Sequence, residues 1–209
     1  MSPIFEQHKD ITSLTTFGIP ASARWYAEHA SREEILKISR SEVFINNEVL
    51  NIGSGSNLLF VGEYNGLVLR SRITDIKSYS KDADTIYVIS GAGVDWDEFV
   101  DWCIDHGYGG VENMAGIPGT VGASAVQNVG AYGVEAKDVI YRVECFDTLT
   151  RNTRTFTAEE CRFGYRDSFF KHEGKERYIV LRVCYRLRQS DIAVNLEYKP
   201  VREYAASLG

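Results

Sequence analysis

One short motif carries the side chains most able to do chemistry. Arg162 to Ser168 (R-F-G-Y-R-D-S) places two arginines, a tyrosine and an aspartate around one glycine, and Lys171 and His172 follow it. A planar guanidinium held in such a loop can bind a substrate carboxylate or stabilise a developing enolate. The alternative is an arginine paired with a nearby carboxylate on a solvated surface. The motif therefore indicates either an anion-binding active site or an ordinary surface ion pair.

A second segment, Glu112 to Gly133, is long, rich in small residues and almost uncharged. Residues 107–133 hold eight of the chain's 18 glycines. Glycine lets the backbone approach a ligand closely and costs folding entropy, so this density predicts a wall that touches a large polar ligand. Ser124, Gln127 and Asn128 are its few hydrogen-bonding side chains, and they would suit a planar ring with polar edges. A surface loop is the alternative, although such loops are normally polar.

A smaller glycine loop, Gly53 to Asn57 (G-S-G-S-N), lies upstream. Its backbone N–H groups and hydroxyls could form a nest for a pyrophosphate. It is not a Rossmann fingerprint because no helix opens after it, and taken alone it could equally be a tight turn. With the longer segment it predicts a ligand of dinucleotide size, and Gly91-Ala92-Gly93 could form a third edge of the same pocket.

Hydrophobic patterns predict the elements that position these motifs. Strands are expected at 20–27, 49–52, 67–70, 86–90, 139–146, 153–156 and 178–187, the fifth and sixth as a hairpin. A capping box at Ser31 to Glu34 predicts a helix over 32–38. An apolar stripe from Trp96 to Ile104 predicts a second helix, with Gly107 at its C-terminal cap. The mixture indicates an α/β or α+β protein rather than a bundle.

Composition excludes several classes of protein. The chain has 209 residues, of which 44% are hydrophobic, enough for one large domain or two small ones. A net charge of −6 argues against a dedicated nucleic-acid or anionic-membrane binder. The N-terminus lacks a signal-peptide pattern and no apolar run could span a bilayer, so we expect a cytoplasmic protein. The four cysteines are widely spaced and predict buried reduced thiols, without a metal site. His8, His29 and His106 are expected on the surface or hydrogen-bonded in the core.

Four motifs together resemble one known family. They are T-T-F-G-I at Thr15 to Ile19, G-S-G-S-N-L-L-F at Gly53 to Phe60, the segment Glu112 to Gly133, and C-R-F-G-Y-R-D-S-F-F-K at Cys161 to Lys171. Their order and spacing resemble the UDP-N-acetylenolpyruvoylglucosamine reductases over essentially the whole chain. The resemblance implies an α+β, vanillyl-alcohol-oxidase/PCMH-type FAD-binding fold of two α+β subdomains. These would be residues 1–70 and 71–190, with 191–209 starting the link to a substrate-binding domain that is absent.

The resemblance also implies a reaction. In that family NADPH reduces FAD, and the reduced flavin passes hydride to the enolpyruvyl ether of a UDP-sugar, giving UDP-N-acetylmuramate for peptidoglycan and cell wall synthesis. Such a chain would be a cytoplasmic monomer with no nucleic-acid, membrane or metal partner. A non-catalytic FAD- or nucleotide-binding module is the alternative. An oxidase with covalent FAD is disfavoured, since the two glycine segments contain no histidine or cysteine.

Matching residue by residue assigns roles to positions in this chain. Arg166 is expected to be the catalytic arginine. The expected substrate-binding residues are Tyr165, Arg166, Gln127, Asn128 and Tyr198. The expected cofactor-binding residues are Gly53, Ser54, Gly55, Ser56, Asn57, Leu58, Ile117, Pro118, Gly119, Thr120, Gly122, Ser124 and Val126.

The resemblance also has a gap. Family members are longer, and their proton-donating serine and a late catalytic glutamate belong to the domain absent here. Ser168 lies within the arginine motif and is not assigned the proton-donor role. We therefore expect a truncated reductase that binds FAD and turns over poorly, because hydride transfer without a general acid leaves an unquenched enolate.

Overall fold

The computed structural model describes residues 4–189 and 198–207, and most of its strands lie in two sheets. The strands of the first sheet are β1 Glu6–Asp10, β2 Ala21–His29, β3 Val49–Ile52 and β4 Gly62–Ser71, in the order β1-β2-β4-β3. β1 is antiparallel to β2, whereas β2 and β3 both run parallel to β4. Parallel strands need a crossover connection. Helices α1 (Arg32–Ile38) and α2 (Glu42–Ile45) lie in the connection from β2 to β3.

The second sheet is antiparallel throughout. Its strands are β5 Ile76–Ser80, β6 Thr85–Gly91, β9 Ile140–Asp147, β10 Thr153–Thr157 and β11 Tyr178–Arg188, in the order β10-β9-β11-β6-β5. The chain also forms helices α3 Trp96–Asp105, α4 Val121–Gln127 and α5 Lys199–Ser207, and a small pair of strands, β7 Gly130–Ala131 and β8 Val134–Glu135. Helix α3 packs on this sheet through Phe99, whose ring centroid lies 4.6 Å from that of Tyr185.

A shared apolar cluster joins the two sheets. Leu67 and Leu69 of β4 pack in one buried cluster with Ile179 and Leu181 of β11 and with Phe146 of β9. All five side chains are at least 96% buried. Burial of this kind is the main favourable contribution to folding, so the junction holds the two sheets in a fixed relation.

The structure confirms every predicted strand and both predicted helices. Ser31 caps α1 by accepting from the Glu34 N–H at 3.2 Å, and the Glu34 carboxylate accepts from the Ala30 N–H at 2.7 Å. Gly107 follows α3 with a φ of +72°, the left-handed conformation that favours glycine in this position. The predicted hairpin is present as β9 and β10.

The buried polar groups bring one confirmation and one correction. All four cysteines are buried and free, and burial raises the pKa of the Cys103, Cys145 and Cys161 thiols, which fits inert core residues. The expectation for His29 is wrong. Its ring is fully buried, and neither ring nitrogen has a hydrogen-bond partner among the described residues.

In those same residues no helix is long and apolar enough to cross a bilayer.

Candidate functional site

A cleft, called here the cofactor cleft, opens where the end of the first sheet meets helix α4. The loop Gly53 to Leu58 after β3 forms one side, and Thr120, Gly122 and Val126 form the other. Ala92, at the end of β6, contributes the third edge expected from the sequence. The cleft is also lined by Ser71 and Val180, which no sequence signal indicated. The structure therefore brings the two glycine-rich segments together.

Two glycines in the first wall are required by close contacts. A Cβ atom at Gly53 would lie 2.6 Å from Oγ1 of Thr120 on the opposite wall. Gly55 has a φ of +65°, and a Cβ there would lie 2.1 Å from the carbonyl oxygen of Leu14. Any side chain at either position would push the loop away from its neighbours. The glycines therefore keep this loop pressed against the rest of the cleft.

The polar groups of the same loop fit a pyrophosphate. Ser54 lines the cleft, and its buried hydroxyl has no hydrogen-bond partner within the described chain. Buried polar atoms are nearly always hydrogen-bonded, so this hydroxyl is available for a ligand oxygen. The Ser56 hydroxyl instead donates to the Pro118 carbonyl at 3.2 Å and ties the two walls together. Of the described side chains that line the cleft, none is charged.

Helix α4 begins directly against the end of β6. The backbone N–H of Gly122 donates to the Ala92 carbonyl at 3.0 Å, and a Cβ at Gly122 would lie 2.9 Å from the Ala92 Cβ. Thr120 caps the helix by accepting from the Ala123 N–H. The small residues that made this segment resemble a loop are the ones that let a helix pack this closely. The segment is thus partly helical, which no sequence pattern predicted.

Three expected cofactor residues use their polar groups internally. Ser124 is fully buried, and its hydroxyl lies 2.8 Å from both the Val121 carbonyl and the Tyr185 hydroxyl, so its side chain points into the core. Pro118 offers its carbonyl to Ser56, and Gly119 offers its carbonyl to the Trp96 N–H at 3.1 Å. Ile117 is half-buried and packs against the core of the second sheet. These residues shape the wall rather than line the cleft.

The segment Cys161 to Lys171, called here the arginine loop, contains a tight turn. Gly164 and Asp167 pair as an isolated antiparallel bridge, which leaves Tyr165 and Arg166 at the tip. Arg166 has a φ of +52°, an uncommon conformation for a non-glycine residue and one that concentrates at functional sites. Tyr165 is 83% exposed. The loop therefore presents both side chains outward.

Arg166 and Arg162 differ in their partners. Arg162 forms an exposed ion pair with Glu173, as the surface alternative predicted. The Arg166 guanidinium donates to the Gly130 carbonyl, and within the described residues no carboxylate forms an ion pair with it. Its remaining N–H groups are thus available for an anion. Nearby, the Lys171 ammonium donates to the Arg166 carbonyl at 2.9 Å.

Arg166 and Tyr165 face a second cavity of about 490 Å³, whose other walls are residues 130–135, Lys137 and Asp138. Lys137 pairs with Glu135, and that hydrogen bond raises the pKa of the lysine. The expected residue Tyr198 comes to the same region, because its ring contacts Tyr132 with centroids 5.4 Å apart. Sequence reasoning did not single out Tyr132, although it lies within the glycine-rich segment, or Lys137, which follows that segment and carries no motif.

The two expected amide side chains of the glycine-rich segment separate. Gln127 lines the cofactor cleft. Asn128 is fully buried and lines neither the cofactor cleft nor the second cavity. It ends α4 in a left-handed conformation, with a φ of +46°, which turns its amide inward. As described, Asn128 has no direct access to a substrate.

The remaining polar groups of the arginine loop are also paired. The Ser168 hydroxyl donates to the Val126 carbonyl at 2.6 Å. His172 lies 2.8 Å from the Asp167 carboxylate, and this contact holds the pKa of Asp167 below its usual value. Among the described residues there is no group of three or more His, Cys, Asp or Glu side chains able to hold a metal ion.

Comparison with known proteins agrees with this arrangement. A family model described as an FAD binding domain matches residues 24–151. The UDP-N-acetylenolpyruvoylglucosamine reductase of Neisseria gonorrhoeae is 40% identical over 208 residues, covering 100% of this chain and 60% of that protein. The enzyme of the same name from Bacteroides fragilis is 43% identical over 197 residues, covering 94% and 58%. The chain thus spans about 60% of the length of these relatives.

Solved structures support the same fold. The UDP-N-acetylenolpyruvylglucosamine reductase of Thermus caldophilus superposes with a TM-score of 0.73 at 25% identity, covering 98% of this chain and 69% of that one. The 6-hydroxy-D-nicotine oxidase of Arthrobacter nicotinovorans, at 18% identity and a TM-score of 0.63, shares the fold alone. The predicted α+β, vanillyl-alcohol-oxidase/PCMH-type fold, the resemblance to the reductases and the expected FAD cofactor are confirmed. Because the family model spans more than half of its residues, the chain belongs to the FAD binding domain family.

Proposed function

We propose that this chain binds FAD and takes part in the NADPH-dependent reduction of UDP-N-acetylenolpyruvoylglucosamine to UDP-N-acetylmuramate. The observation that carries the proposal is the placement of Arg166, held in a left-handed turn at the edge of a cavity with no ion-pair partner in the described chain. Relatives about 40% identical carry the reductase name, which supports this reading. The activity is that of the longer relatives, so for this chain it is a proposal.

The residues of the cofactor cleft would divide the work of holding FAD. The backbone N–H groups of Gly53 to Asn57 and the unpartnered Ser54 hydroxyl would bind the pyrophosphate, whose charge a nest of N–H groups favours. Thr120, Gly122 and Val126 would pack along the ring system, with Leu58 at the rim. Bound flavin supplies the hydride chemistry, and the protein supplies position and charge.

The second cavity would hold the enolpyruvyl group. Arg166 would bind its carboxylate and stabilise the negative charge that develops there, because a planar guanidinium matches a carboxylate with two parallel hydrogen bonds. Tyr165 and Tyr198 would flank the substrate. Ser168 is unsuited to donate the proton because its hydroxyl is buried and already donates to Val126.

The proposal also covers the cellular location, oligomeric state and domain division of the chain. We place the chain in the cytoplasm as a monomer that acts on a UDP-sugar, without nucleic-acid or membrane partners. We also propose subdomains at 1–70 and 71–190; the strands change sheet between Ser71 and Ile76, which supports that boundary. The proposed link 191–209 falls partly outside the described residues. A non-catalytic FAD-binding module is the second candidate.

The cofactor proposal is tested by flavin titration of the purified chain and two glycine variants. Gly55→Ala should weaken FAD binding by at least about tenfold, because the new Cβ meets the Leu14 carbonyl. Gly107→Ala is the matched control, since Gly107 also has a positive φ but a Cβ there would meet no atom within 4 Å. Equal FAD affinity in both variants would overturn the proposed cleft.

The catalytic proposal is tested by NADPH oxidation with the enolpyruvyl substrate. Arg166→Lys should lower the rate by about 100-fold or more, as loss of a group that stabilises transition-state charge does. Arg162→Lys is the matched control, because Arg162 lies in the same loop with a φ of +45° but is paired with Glu173. An FAD-loaded chain with no reductase activity would instead establish the binding module.

A further inference from the structure

Three segments of the site meet at one buried amide. The Nδ2 of Asn128 donates to the carbonyl of Gly164, at the base of the turn that carries Arg166, at 2.7 Å. Its Oδ1 accepts from the backbone N–H of Lys137, in the wall of the second cavity, at 2.9 Å. Asn128 itself caps the C-terminal end of α4, the helix that lines the cofactor cleft. One side chain thus connects the helix that lines the cleft to the two segments that carry Arg166 and Lys137 at the second cavity.

A second bond runs beside the first. Ser168 donates to the Val126 carbonyl at 2.6 Å, so the arginine loop is fastened to the final turn of α4 on both sides of Arg166. Two hydrogen bonds at separate points fix both the position and the orientation of the loop relative to α4, whereas a single bond would let the loop rotate about it. Asn128 and Ser168 are both buried, and buried hydrogen bonds are electrostatically stronger than those in water.

The burial of Asn128 decides what it does. Its exposed fraction is zero, and both ends of its amide are used by backbone groups. A ligand could reach this amide only by breaking those bonds. Its left-handed backbone conformation is one that asparagine tolerates better than most residues, which suits a side chain that must turn back under the helix.

We infer that Asn128 is a positioning residue that sets Arg166 and Lys137 in register with the cofactor-lining helix α4. The inference rests on the proposed function for what Arg166 does in that position. Asn128 acts through these two segments and does not touch substrate. Its loss therefore affects the carboxylate site while the cofactor cleft stays intact.

The first measurement is amide hydrogen exchange of the whole chain. Asn128→Asp keeps the acceptor for Lys137 but removes the donor to Gly164, so exchange at the Gly164 and Asp167 amides should rise about tenfold or more. Asn47→Asp is the matched control, because the Asn47 amide also donates to one backbone carbonyl, that of Val43, at 2.8 Å. Asn128→Gly keeps the left-handed backbone without burying a carboxylate, and it should show the same rise.

The second measurement is ligand affinity in the FAD-loaded chain. For Asn128→Gly, the Kd of UDP-N-acetylenolpyruvoylglucosamine should rise about tenfold, while the Kd of FAD changes by no more than about threefold. A parallel loss of FAD and substrate binding, or unchanged exchange at 164 and 167, would overturn the inference. If the unaltered chain fails to bind the enolpyruvyl substrate, the proposed function falls, and the exchange data alone decide whether Asn128 positions the loop.

Discussion

His29 is a buried histidine whose ring nitrogens have no hydrogen-bond partner among the described residues. It ends β2 beside Ser71, its neighbour in the β2–β4 register, and its ring has no partner in the described chain. Burial lowers the pKa of His29 from 6.5 to about 4, against the smaller opposing effect of the Glu34 charge. The folded protein therefore holds His29 neutral, whereas the unfolded chain protonates it near pH 6.5.

The stability of the protein should therefore fall as the pH drops from 6.5 to 4. Across that window His29 binds a proton in the unfolded chain but not in the folded one. This stabilises the unfolded state and lowers the free energy of unfolding by about 3 kcal/mol. His29→Leu removes the titration, so its free energy of unfolding should lose correspondingly less than that of the wild type. Urea denaturation at pH 7 and pH 4.5 measures both. Identical losses in the two proteins would show that His29 is not the acid-sensitive group.

Helix α4 is the element on which both halves of the site depend. Its first turn touches Ala92 and the cofactor cleft, and its last turn holds the arginine loop through Asn128 and the Val126 carbonyl. The contact at Gly122 sets how closely the helix approaches β6. A shift at this end would move both cavities together.

Replacing Gly122 with alanine should move α4 despite the better helix propensity of alanine. The new Cβ would lie 2.9 Å from the Ala92 Cβ, and overpacking of this kind costs about 1–3 kcal/mol. FAD affinity should fall with it. Adding Ala92→Gly should recover part of both losses by restoring space. Urea denaturation and flavin titration of the two single variants and the double variant check this, and strict additivity would contradict it.

At the scale of the whole molecule, the cluster shared by β4 and β11 should make the two sheets unfold together. Leu181 is 98% buried in that cluster, so Leu181→Ala should cost about 2–5 kcal/mol. Leu149→Ala, at a residue 74% exposed in the β9–β10 turn, should change stability by less than about 0.5 kcal/mol.

Hydrogen exchange of β2 and β11 should show one common unfolding transition, because both strands belong to sheets joined by this cluster. Two separate transitions would show independent subdomains.

Local signals account for what the sequence predicts well. The N-cap of α1 and the apolar stripe of α3 are patterns that act over a few residues, and both helices are present as predicted, although the Glu34 carboxylate accepts from the Ala30 N–H and not from the Ser31 N–H. Strands β1 and β5 are mostly exposed edge strands without apolar alternation, so they carry no such signal. The inward turn of Asn128 and the buried hydroxyl of Ser124 depend on which face of an unpredicted helix meets the core.

The absence of charge among the described side chains that line the cofactor cleft has a consequence for how its ligand responds to salt. Neutral N–H and hydroxyl donors act at contact range, whereas a guanidinium attracts anions over roughly one Debye length, about 8 Å at physiological ionic strength. FAD affinity should therefore vary little between dilute buffer and high salt. Binding of a carboxylate at Arg166 should weaken over the same range. A salt titration would thus distinguish FAD binding in the cofactor cleft from carboxylate binding at Arg166, because only the second affinity should fall.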